Sequence, residues 1–343
     1  MNKLIGIVYN EPLPSGDEFS EASRDVLEQV EAIERSLGEL CYKPKLFPFT
    51  RDLPSFIEQI GKSKVEIIFN LCEAIDEDPM LAGHAAAVYE LLNIPFTGSS
   101  SSALSLSTDK LLSKRLLEAS GIPTPAGLIY EGEIDTVFKK KELSYPVIVK
   151  PRFQDASIGI EQGSIFKKRA ALVEMLDPLF NKFGPLIIEE YIYGRELNIS
   201  LIGHPVPRVL PLAEIEFIDF PKRDYHIVGY KAKWDESSFE YSHTPRSFPD
   251  DIPPPIVEKI KKTAISSFKL FMLRDYARID MRIDSKWNTF VLDVNANPCL
   301  NPNGGFAAAA ETDGITYTRM VELLVSFALL RSQTNAHQAP HNF

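Results

Sequence analysis

Short apolar runs alternate with amphipathic stretches along the first hundred residues of the chain. The runs read LIGIV, KLFPF, VEIIFNL and IPFTG, and each has the length of a strand. After the first run, a set of apolar residues recurs at helical spacing and would share one helix face: Val26, Val30, Ile33, Leu37 and Leu40. Strands that alternate with helices predict a small parallel sheet with helices on both faces.

The pattern changes after residue 107. Thr108-Asp109 can cap a helix that runs to residue 119 and ends at Ser120-Gly121, before IPTP. The strand PVIVKP, a polar loop and another helix then extend to about residue 184. The strands LIIEEYI, ELNISLIG and RVLPLAEIEF follow, with a polar stretch over 219–251, a helix, a hairpin and a terminal helix. The serines at 99–102 are predicted to form a polar loop, with a substrate contact as the alternative.

These changes divide the chain into three regions and a tail. We predict an N-terminal domain over 1–107, a small central subdomain over 108–184 and a C-terminal subdomain over 185–331. The last twelve positions, 332–343, are polar, and we expect them to be disordered. The predicted class is α/β for the first region and α+β for the two that follow.

The hairpin RIDMRIDSKWNTFVLDVNANP, residues 278–298, places acids where strands rarely have them. Alternation puts Ile279, Met281 and Ile283 on one face and the charged residues on the other, and it separates Phe290, Leu292 and Val294 from Val291, Asp293 and Asn295. A turn centred on Lys286-Trp287 would set Asp280 directly opposite Asp293. Like charges so placed destabilise the pair, and we therefore expect a positive group between them.

Composition limits the classes of function. The chain has 343 residues, is 44% hydrophobic and 24% charged, and carries a formal net charge of -10, which is typical of a globular protein and argues against a nucleic-acid partner. The sequence has no apolar run long enough to span a membrane and no signal-peptide pattern at its start. Its three cysteines are far apart, which favours a reduced, cytoplasmic protein.

The candidate chemistry lies in dispersed lysines and acids, because the sequence has no GxxxxGK[ST] loop, GxGxxG fingerprint, HExxH or GxSxG motif. Lys110, Lys150 and Lys233 could each bind phosphate as a point charge, or be solvated surface lysines. The run IIEEYIYGRE could be an edge strand that leads into a charged turn. In the hairpin, oxygen ligands with a carboxylate pair favour Mg²⁺.

The order of these pieces resembles the ATP-grasp superfamily and, within it, the D-alanine–D-alanine ligase family. The resemblance rests on DK at 109–110, VIVKP, IIEEYIYGRE, KAKW, ARID and LDVNANP, and on longer phrases such as YARIDMRID. It extends from residue 3 to about residue 330. It implies an α+β ATP-grasp fold, with ATP held between two antiparallel sheets after the N-terminal domain. It also implies a carboxylate–amine ligase that forms an amide through an acyl phosphate.

The resemblance also implies residue roles. For ATP, these are Lys110 and Lys150 on the phosphates, Lys233 on the γ-phosphate, Glu189, Glu190, Tyr191 and Ile192 as the hinge strand that reads adenine, Glu196 on the ribose, and Leu292 in the adenine floor. Asp280, Asp293 and Asn295 would hold two Mg²⁺ ions, with Mn²⁺ as an alternative. Arg278 would stabilise the oxyanion of the tetrahedral intermediate, and Ser157 is retained in the catalytic loop. Small amino acids or amines are the implied substrates, and a homodimer is the implied assembly.

The chain departs from the family where substrates would bind. The loop RFQDASIGI replaces a Glu-Gly-Ser-Ser-type loop, and Cys299-Leu300 and Gly304-Gly305 replace the Gly-Met and Ser-Leu pairs. The glutamate that holds the donor's amine has two candidates, Glu18 and Glu21. Because Gly304-Gly305 offers neither hydroxyl nor bulk, we expect poor use of D-alanine and better use of a larger amine, or of one whose carboxylate is held elsewhere. The alternative is that a neighbouring residue supplies the missing donor.

Two functions remain as hypotheses. The first is an ATP-dependent carboxylate–amine ligase. The second is a catalytically idle ATP-binding protein of the same fold, which would act as a regulator or scaffold. An idle relative would be expected to lose a metal-binding acid or the oxyanion arginine, whereas Arg278, Asp280 and Asp293 are all present. The retained charges therefore favour the enzyme.

Overall fold

The computed structural model describes residues 3–12, 18–134, 138 and 142–338, with only the backbone considered for 334–338. The statements below concern these residues. No helix in this part of the chain is both long enough and apolar enough to span a membrane.

The N-terminal region contains the predicted parallel sheet. Its strands, in the order β2-β1-β3, are β1 (Leu4–Asn10), β2 (Lys43–Phe49) and β3 (Ile67–Leu71). The helices around it are α1 (Ser20–Glu39), α2 (Leu53–Ser63) and α3 (Ala82–Leu91). The predicted stripe of α1 is confirmed, because Val26, Val30, Ile33 and Leu37 are buried and Leu40 packs beside them.

Two helices connect this region to the next, α4 (Ser101–Thr108) and α5 (Lys110–Ala119). The prediction of a loop at the serine run is wrong for Ser101 and Ser102, because the hydroxyl of Ser100 accepts a hydrogen bond from the backbone N–H of Ala103 and caps α4. The predicted cap of α5 is confirmed, since the Asp109 carboxylate accepts hydrogen bonds from two backbone N–H groups of its first turn.

The central subdomain is built on an antiparallel sheet. Its strands, in the order β4-β7-β5-β6, are β4 (Gly127–Tyr130), β5 (Val147–Pro151), β6 (Ile165–Phe166) and β7 (Leu186–Glu190). Helix α6 (Arg169–Phe183) covers one face. The predicted boundary at 184/185 is wrong, because β7 pairs with β4 and β5 and therefore belongs to the central sheet.

The second antiparallel sheet lies in the C-terminal region. Its main path is β11-β10-β8-β12-β13, with β9 beside β8; the strands are β8 (Arg195–Gly203), β9 (Arg208–Val209), β10 (Ala213–Ile215), β11 (Arg246–Ser247), β12 (Asp275–Ile283) and β13 (Thr289–Asn295). The predicted single strand RVLPLAEIEF is thus two short strands. The polar stretch after it contains α7 (Tyr230–Trp234), α8 (Phe239–Ser242) and β11, and α9 (Pro254–Leu270) packs on the sheet.

The last two helices return to the N-terminal region. Helix α10 (Gly305–Thr312) and α11 (Tyr317–Gln338) share a buried core with α1 and the first sheet. The predicted disorder from residue 332 is therefore wrong as far as Gln338, while 339–343 lie outside the described residues. The N- and C-terminal regions are joined through common cores, whereas the central sheet and α6 form a core of their own.

Candidate active site

The predicted pairing of the two hairpin acids is confirmed. Asp280 on β12 lies directly opposite Asp293 on β13. The predicted alternation of β13 is wrong in its first half, because the register shifts at this point and leaves Leu292 as an extra residue. Val291 and Val294 therefore both face the core. Leu292 is half-buried and is not part of that core.

Two side chains supply the positive charge that the paired acids require. Arg278 donates from Nε and Nη2 to the two carboxylate oxygens of Asp280, at 2.7 and 2.9 Å. Lys110, at the start of α5, places its ammonium 3.7 Å from Asp293 and 2.9 Å from Asp155. Burial opposes the charged form of Lys110, but these carboxylates outweigh it and raise its pKa.

The two acids differ in how well they are satisfied. Asp280 also accepts hydrogen bonds from the amides of Asn198 and Asn295. Burial would raise its pKa, but the charge and hydrogen bonds of Arg278 leave the pKa below its ordinary value. The pKa of Asp293 is raised, by burial first and by Asp155 and Asp280 as well, although Lys110 opposes this. Asp293 is thus a carboxylate with too little positive charge around it.

The predicted phosphate lysine of β5 belongs to a buried triad. Glu189 on β7 is 3% exposed, and its two oxygens each lie 2.9 Å from an ammonium, that of Lys114 and that of Lys150. Burial alone would raise the pKa of Glu189, but the two lysines lower it to about 2. Among the described residues Lys150 has this one ion pair, whereas Lys114 also donates to Thr124 and Pro125.

The predicted adenine and ribose residues surround a buried arginine. Arg282 donates to the backbone oxygen of Ile192 and to the Glu196 carboxylate, both at 2.7 Å. Its guanidinium carbon lies 4.7 Å from the centre of the Tyr191 ring. The other hinge acid, Glu190, accepts a hydrogen bond from the backbone N–H of Ser144 at 2.7 Å. Arg282 therefore fixes the backbone at Ile192 and the carboxylate of Glu196 relative to each other.

The loop RFQDASIGI is fastened to the segment that contains α7. The hydroxyl of Ser157 donates to the backbone oxygen of Val228 at 2.7 Å. The indole of Trp234 donates to the oxygen of Ala156, and the N–H of Tyr230 donates to that of Ile160, both at 2.9 Å. In this arrangement Ser157 holds the loop closed, and its catalytic assignment stays a prediction.

Lys233 lies beside the paired acids, on α7. Burial lowers its pKa, and Arg278 lowers it further. Asp280, Glu196 and Asp155 oppose this through charge alone, without a hydrogen bond to the ammonium. The predicted γ-phosphate lysine is thus close to the other site residues and has no direct counterion among the described residues.

A second cluster of acids lies next to the hairpin. Asp25 on α1 accepts hydrogen bonds from the thiol of Cys299 at 3.0 Å and from the amide of Asn301 at 2.7 Å. Gln29 donates to Asp25 at 3.0 Å and to Glu73 at 3.4 Å. Glu73 is accessible to solvent, yet protein atoms surround its carboxyl closely enough for burial, together with Asp25, to raise its pKa.

The two predicted glutamates do not join this cluster. Glu18 forms an exposed ion pair with Lys182 at 2.7 Å, and Glu21 is exposed in the first turn of α1. Asp25 lies one helical turn after Glu21, and both Asp25 and Glu28 of α1 contact the 299–301 segment. The structure therefore offers Asp25 as a third candidate for the donor's amine.

Helix α10 begins at Gly304-Gly305, and only at Gly304 do the surrounding atoms exclude a side chain. A Cβ at Gly304 would lie 2.9 Å from the backbone oxygen of Asn301, too close for any side chain. A Cβ at Gly305 would lie 3.5 Å from Nε and Nη2 of Arg246, which is an ordinary contact. The expectation of open space beside Gly305 is wrong, because the Arg246 guanidinium lies there.

A comparison with known protein families shows which family this chain belongs to. The model described as D-ala D-ala ligase C-terminus matches residues 118–326, which is more than half of the chain. The chain belongs to the D-alanine–D-alanine ligase family. It is therefore an ATP-dependent ligase of the ATP-grasp type, a class that forms carbon–nitrogen bonds.

Individual relatives agree with this assignment. A D-alanine–D-alanine ligase of Carboxydothermus hydrogenoformans is 30% identical over 87% of this chain and 92% of its own length. An uncharacterized protein of Sinorhizobium fredii, y4sG, is 30% identical over 76% of this chain and 74% of that protein. A crystal structure of the D-alanine–D-alanine ligase from Bacillus anthracis complexed with ATP shares the fold, with a TM-score of 0.77, 20% identity, and coverage of 97% of this chain and 99% of that one.

The family implies a divalent metal, and the hairpin residues of this ligase fit one. Asp280, Asp293 and Asn295 provide only oxygen ligands for a metal, which suits Mg²⁺. Burial raises the pKa of Asp293, and the neighbouring carboxylates Asp155 and Asp280 raise it further, and a carboxylate in such surroundings would be stabilised by an added cation. Among the described residues, no group of three or more His, Cys, Asp or Glu could hold a metal by itself. The two carboxylates and the amide would supply only some of the ligands of Mg²⁺, and substrate phosphates could supply others.

Besides Asp25 and Glu73, four residues of the ligase escaped prediction from the sequence: Lys114, Arg282, Asp155 and Arg246. Lys114 follows Lys110 by four residues on α5, and this spacing alone places both on one helix face. Arg282 shares the charged face of β12 with Arg278 and Asp280, so its position was also readable. Asp155 and Arg246 lie in loops or short strands with no periodic pattern, and the sequence offered no signal for them.

Proposed function

We propose that this ligase phosphorylates the carboxylate of one amino acid and lets the amine of a second displace the phosphate, forming an amide. The proposal rests on one observation: Arg278 and Lys110 both contact the acid pair Asp280–Asp293 of the hairpin. Two acids can bind metal-bound phosphates, and a partly buried arginine beside them can stabilise an oxyanion.

ATP would lie between the two antiparallel sheets. Lys150 and Lys110 would contact its phosphates, and Lys233, which has no direct counterion of its own, would reach the γ-phosphate. Tyr191 and Ile192 would contact adenine, with Leu292 below it, and the oxygen of Glu196 that Arg282 leaves free would accept from the ribose. The closed loop over Ser157 would exclude water from the acyl phosphate.

Asp280, Asp293 and Asn295 would hold two Mg²⁺ ions, with Mn²⁺ as an alternative. When bound, these ions neutralise charge on the phosphates and align them for transfer. Arg278 then acts beside the metal site, since it is fixed by both oxygens of Asp280. On the other side of Cys299, Asp25 and Glu73 would hold the ammonium of the donor amino acid.

Amino-acid-dependent release of ADP tests this proposal. The purified chain would be assayed with ATP and Mg²⁺ against D- and L-amino acids, singly and in pairs, and against simple amines. We expect ADP release to depend on at least one amino acid and an amide product to be visible by mass spectrometry. ATP binding without release of ADP under any of these conditions would instead indicate an idle ATP-binding protein.

Replacing Lys150 by alanine should raise the KM for ATP by about 10- to 100-fold, the range expected when a charge-assisted hydrogen bond worth about 1.5–3 kcal/mol is lost. Steady-state kinetics with varied ATP would measure it. The exposed Lys222 provides the control, and Lys222→Ala should leave the KM unchanged. Equal ATP kinetics in the Lys150→Ala variant and the unmodified chain would show that Lys150 does not contact the phosphates.

A further inference from the structure

The two lysines assigned to the phosphates, Lys110 and Lys150, lie on elements that pack into different cores. Lys150 is on β5, and Val147 and Val149 of this strand belong to the core of the central sheet. Lys110 begins α5, and Leu117 of this helix is buried in a core that the N- and C-terminal regions share. Two ammonium groups act on one ligand only if their spacing is fixed. A connection between α5 and the end of β5 would therefore determine how well both lysines meet the phosphates.

Arg152, which directly follows β5, makes that connection. Its Nε and Nη2 donate to the two carboxylate oxygens of Asp109, at 2.8 and 2.7 Å. The exposed fraction is 16% for the side chain of Arg152 and 11% for that of Asp109. The backbone oxygen of Arg152 also accepts a hydrogen bond from the backbone N–H of Lys110 at 3.3 Å. A bidentate pair fixes orientation as well as distance, and salt screens a partly buried pair much less than an exposed one.

Asp109 transmits this constraint to Lys110. The same carboxylate accepts hydrogen bonds from two backbone N–H groups in the first turn of α5. Burial opposes its charged form, but Arg152 and these N–H groups outweigh burial and lower its pKa. Lys110 follows Asp109 directly, and its ammonium donates to the backbone oxygen of Gln154 at 2.7 Å. The Asp109–Arg152 ion pair thus fixes both the helix start that carries Lys110 and the loop that the ammonium of Lys110 contacts.

We propose that Arg152 is a positioning residue for the nucleotide. Through its ion pair with Asp109, it holds the ammonium groups of Lys110 and Lys150 at the spacing at which both meet the phosphates of ATP. The inference rests on the proposed function, which places these two lysines on the phosphates. The guanidinium of Arg152 is bound by Asp109 and, at 3.1 Å, by Glu131. Arg152 therefore acts through Lys110 and does not itself contact the nucleotide.

Nucleotide binding would test this role without relying on turnover. A non-hydrolysable ATP analogue would be titrated by calorimetry into the full chain with Mg²⁺, and thermal unfolding without nucleotide would report stability. We expect Arg152→Ala to lower the affinity about tenfold, the loss that corresponds to one charge-assisted hydrogen bond. Because Arg152 acts through Lys110, the same change should add little to the loss in a chain that already carries Lys110→Ala. Glu131→Gln alters only an exposed partner of Arg152 and should leave the affinity unchanged.

Asp109→Asn separates the helix cap from the ion pair. Asparagine caps a helix about as well as aspartate, but it carries no charge and offers the guanidinium a single oxygen. This variant should fold and still lose about tenfold in affinity, so it tests the inference even if Arg152→Ala does not fold.

Three results would overturn the inference. They are unchanged affinity in Asp109→Asn, a lower melting temperature with unchanged affinity in Arg152→Ala, and an effect of Arg152→Ala that is as large with Lys110→Ala as without it. The expected losses of affinity in a chain that releases no ADP with any pair of substrates would support the role of Arg152 and instead contradict the proposed function.

Discussion

Replacing Asp293 by asparagine should lower ADP formation by about three orders of magnitude, because several kcal/mol of charge stabilisation on the phosphates would be lost. The same change should leave the stability of the ligand-free chain unaltered or higher. Asp293 lies opposite Asp280 and near Asp155, and these charges contribute to its raised pKa. Removal of its charge relieves that repulsion.

The two readouts distinguish a metal ligand from a structural acid. ADP release at saturating Mg²⁺ gives the first, and thermal unfolding without nucleotide gives the second. Asp250 is exposed in the same region, and Asp250→Asn should affect neither. Asp293 would not be a metal ligand if the Asp293→Asn variant retained Mg²⁺-dependent turnover, and it would be structural if both activity and stability fell together.

Replacing Lys114 by methionine should destabilise the folded chain by about 3–5 kcal/mol, the range for removing one partner of a buried ion pair. Lys114 bonds Glu189 at 2.9 Å, and its ammonium also donates to the hydroxyl of Thr124 at 2.9 Å and to the oxygen of Pro125 at 2.6 Å. All three acceptors would lose this donor. Denaturation by urea, followed by circular dichroism, would measure the loss.

Lys150→Met is the matched comparison, because Lys150 contacts the other oxygen of the same carboxylate. It has fewer partners in the described chain than Lys114, so its replacement should cost less stability and more ATP affinity. A larger loss of stability in Lys150→Met than in Lys114→Met would reverse the two roles. We therefore expect Lys114 on α5 to be the structural lysine of this triad and Lys150 on β5 to be the one that contacts ATP.

Periodic features of the fold were predictable from the sequence. The stripe of α1 and the cap at Asp109 are local, and the pairing of Asp280 with Asp293 follows from alternation across a short turn. The bulge at Leu292 and the course of β7 into the central sheet depend on tertiary pairing. Local patterns do not determine such pairing.

The residues of the candidate site likewise fall into those that the sequence could place and those that it could not. Lys110, Lys150 and Asp293 lie on regular elements, so the helix, the strand and the hairpin that carry them could be predicted from periodicity, whereas the roles of the two lysines came from the family resemblance. Arg246 and Asp155 are brought to the site by long connections whose path no pattern reveals. Asp25 shares a face of α1 with Glu21, but only its contact with Cys299 shows that Asp25, and not Glu21, reaches the segment that follows the hairpin.

If this ligase activates a carboxylate by phosphorylation, an oxygen atom of that carboxylate must pass to the released phosphate. An amino acid labelled with ¹⁸O in its carboxylate would be incubated with the chain, ATP, Mg²⁺ and an acceptor, and the released phosphate would be analysed by mass spectrometry. Phosphorylation followed by attack of an amine must leave one carboxylate oxygen on the phosphate. We expect one ¹⁸O atom in each phosphate released with amide product, whereas amide formation with unlabelled phosphate would rule out an acyl phosphate.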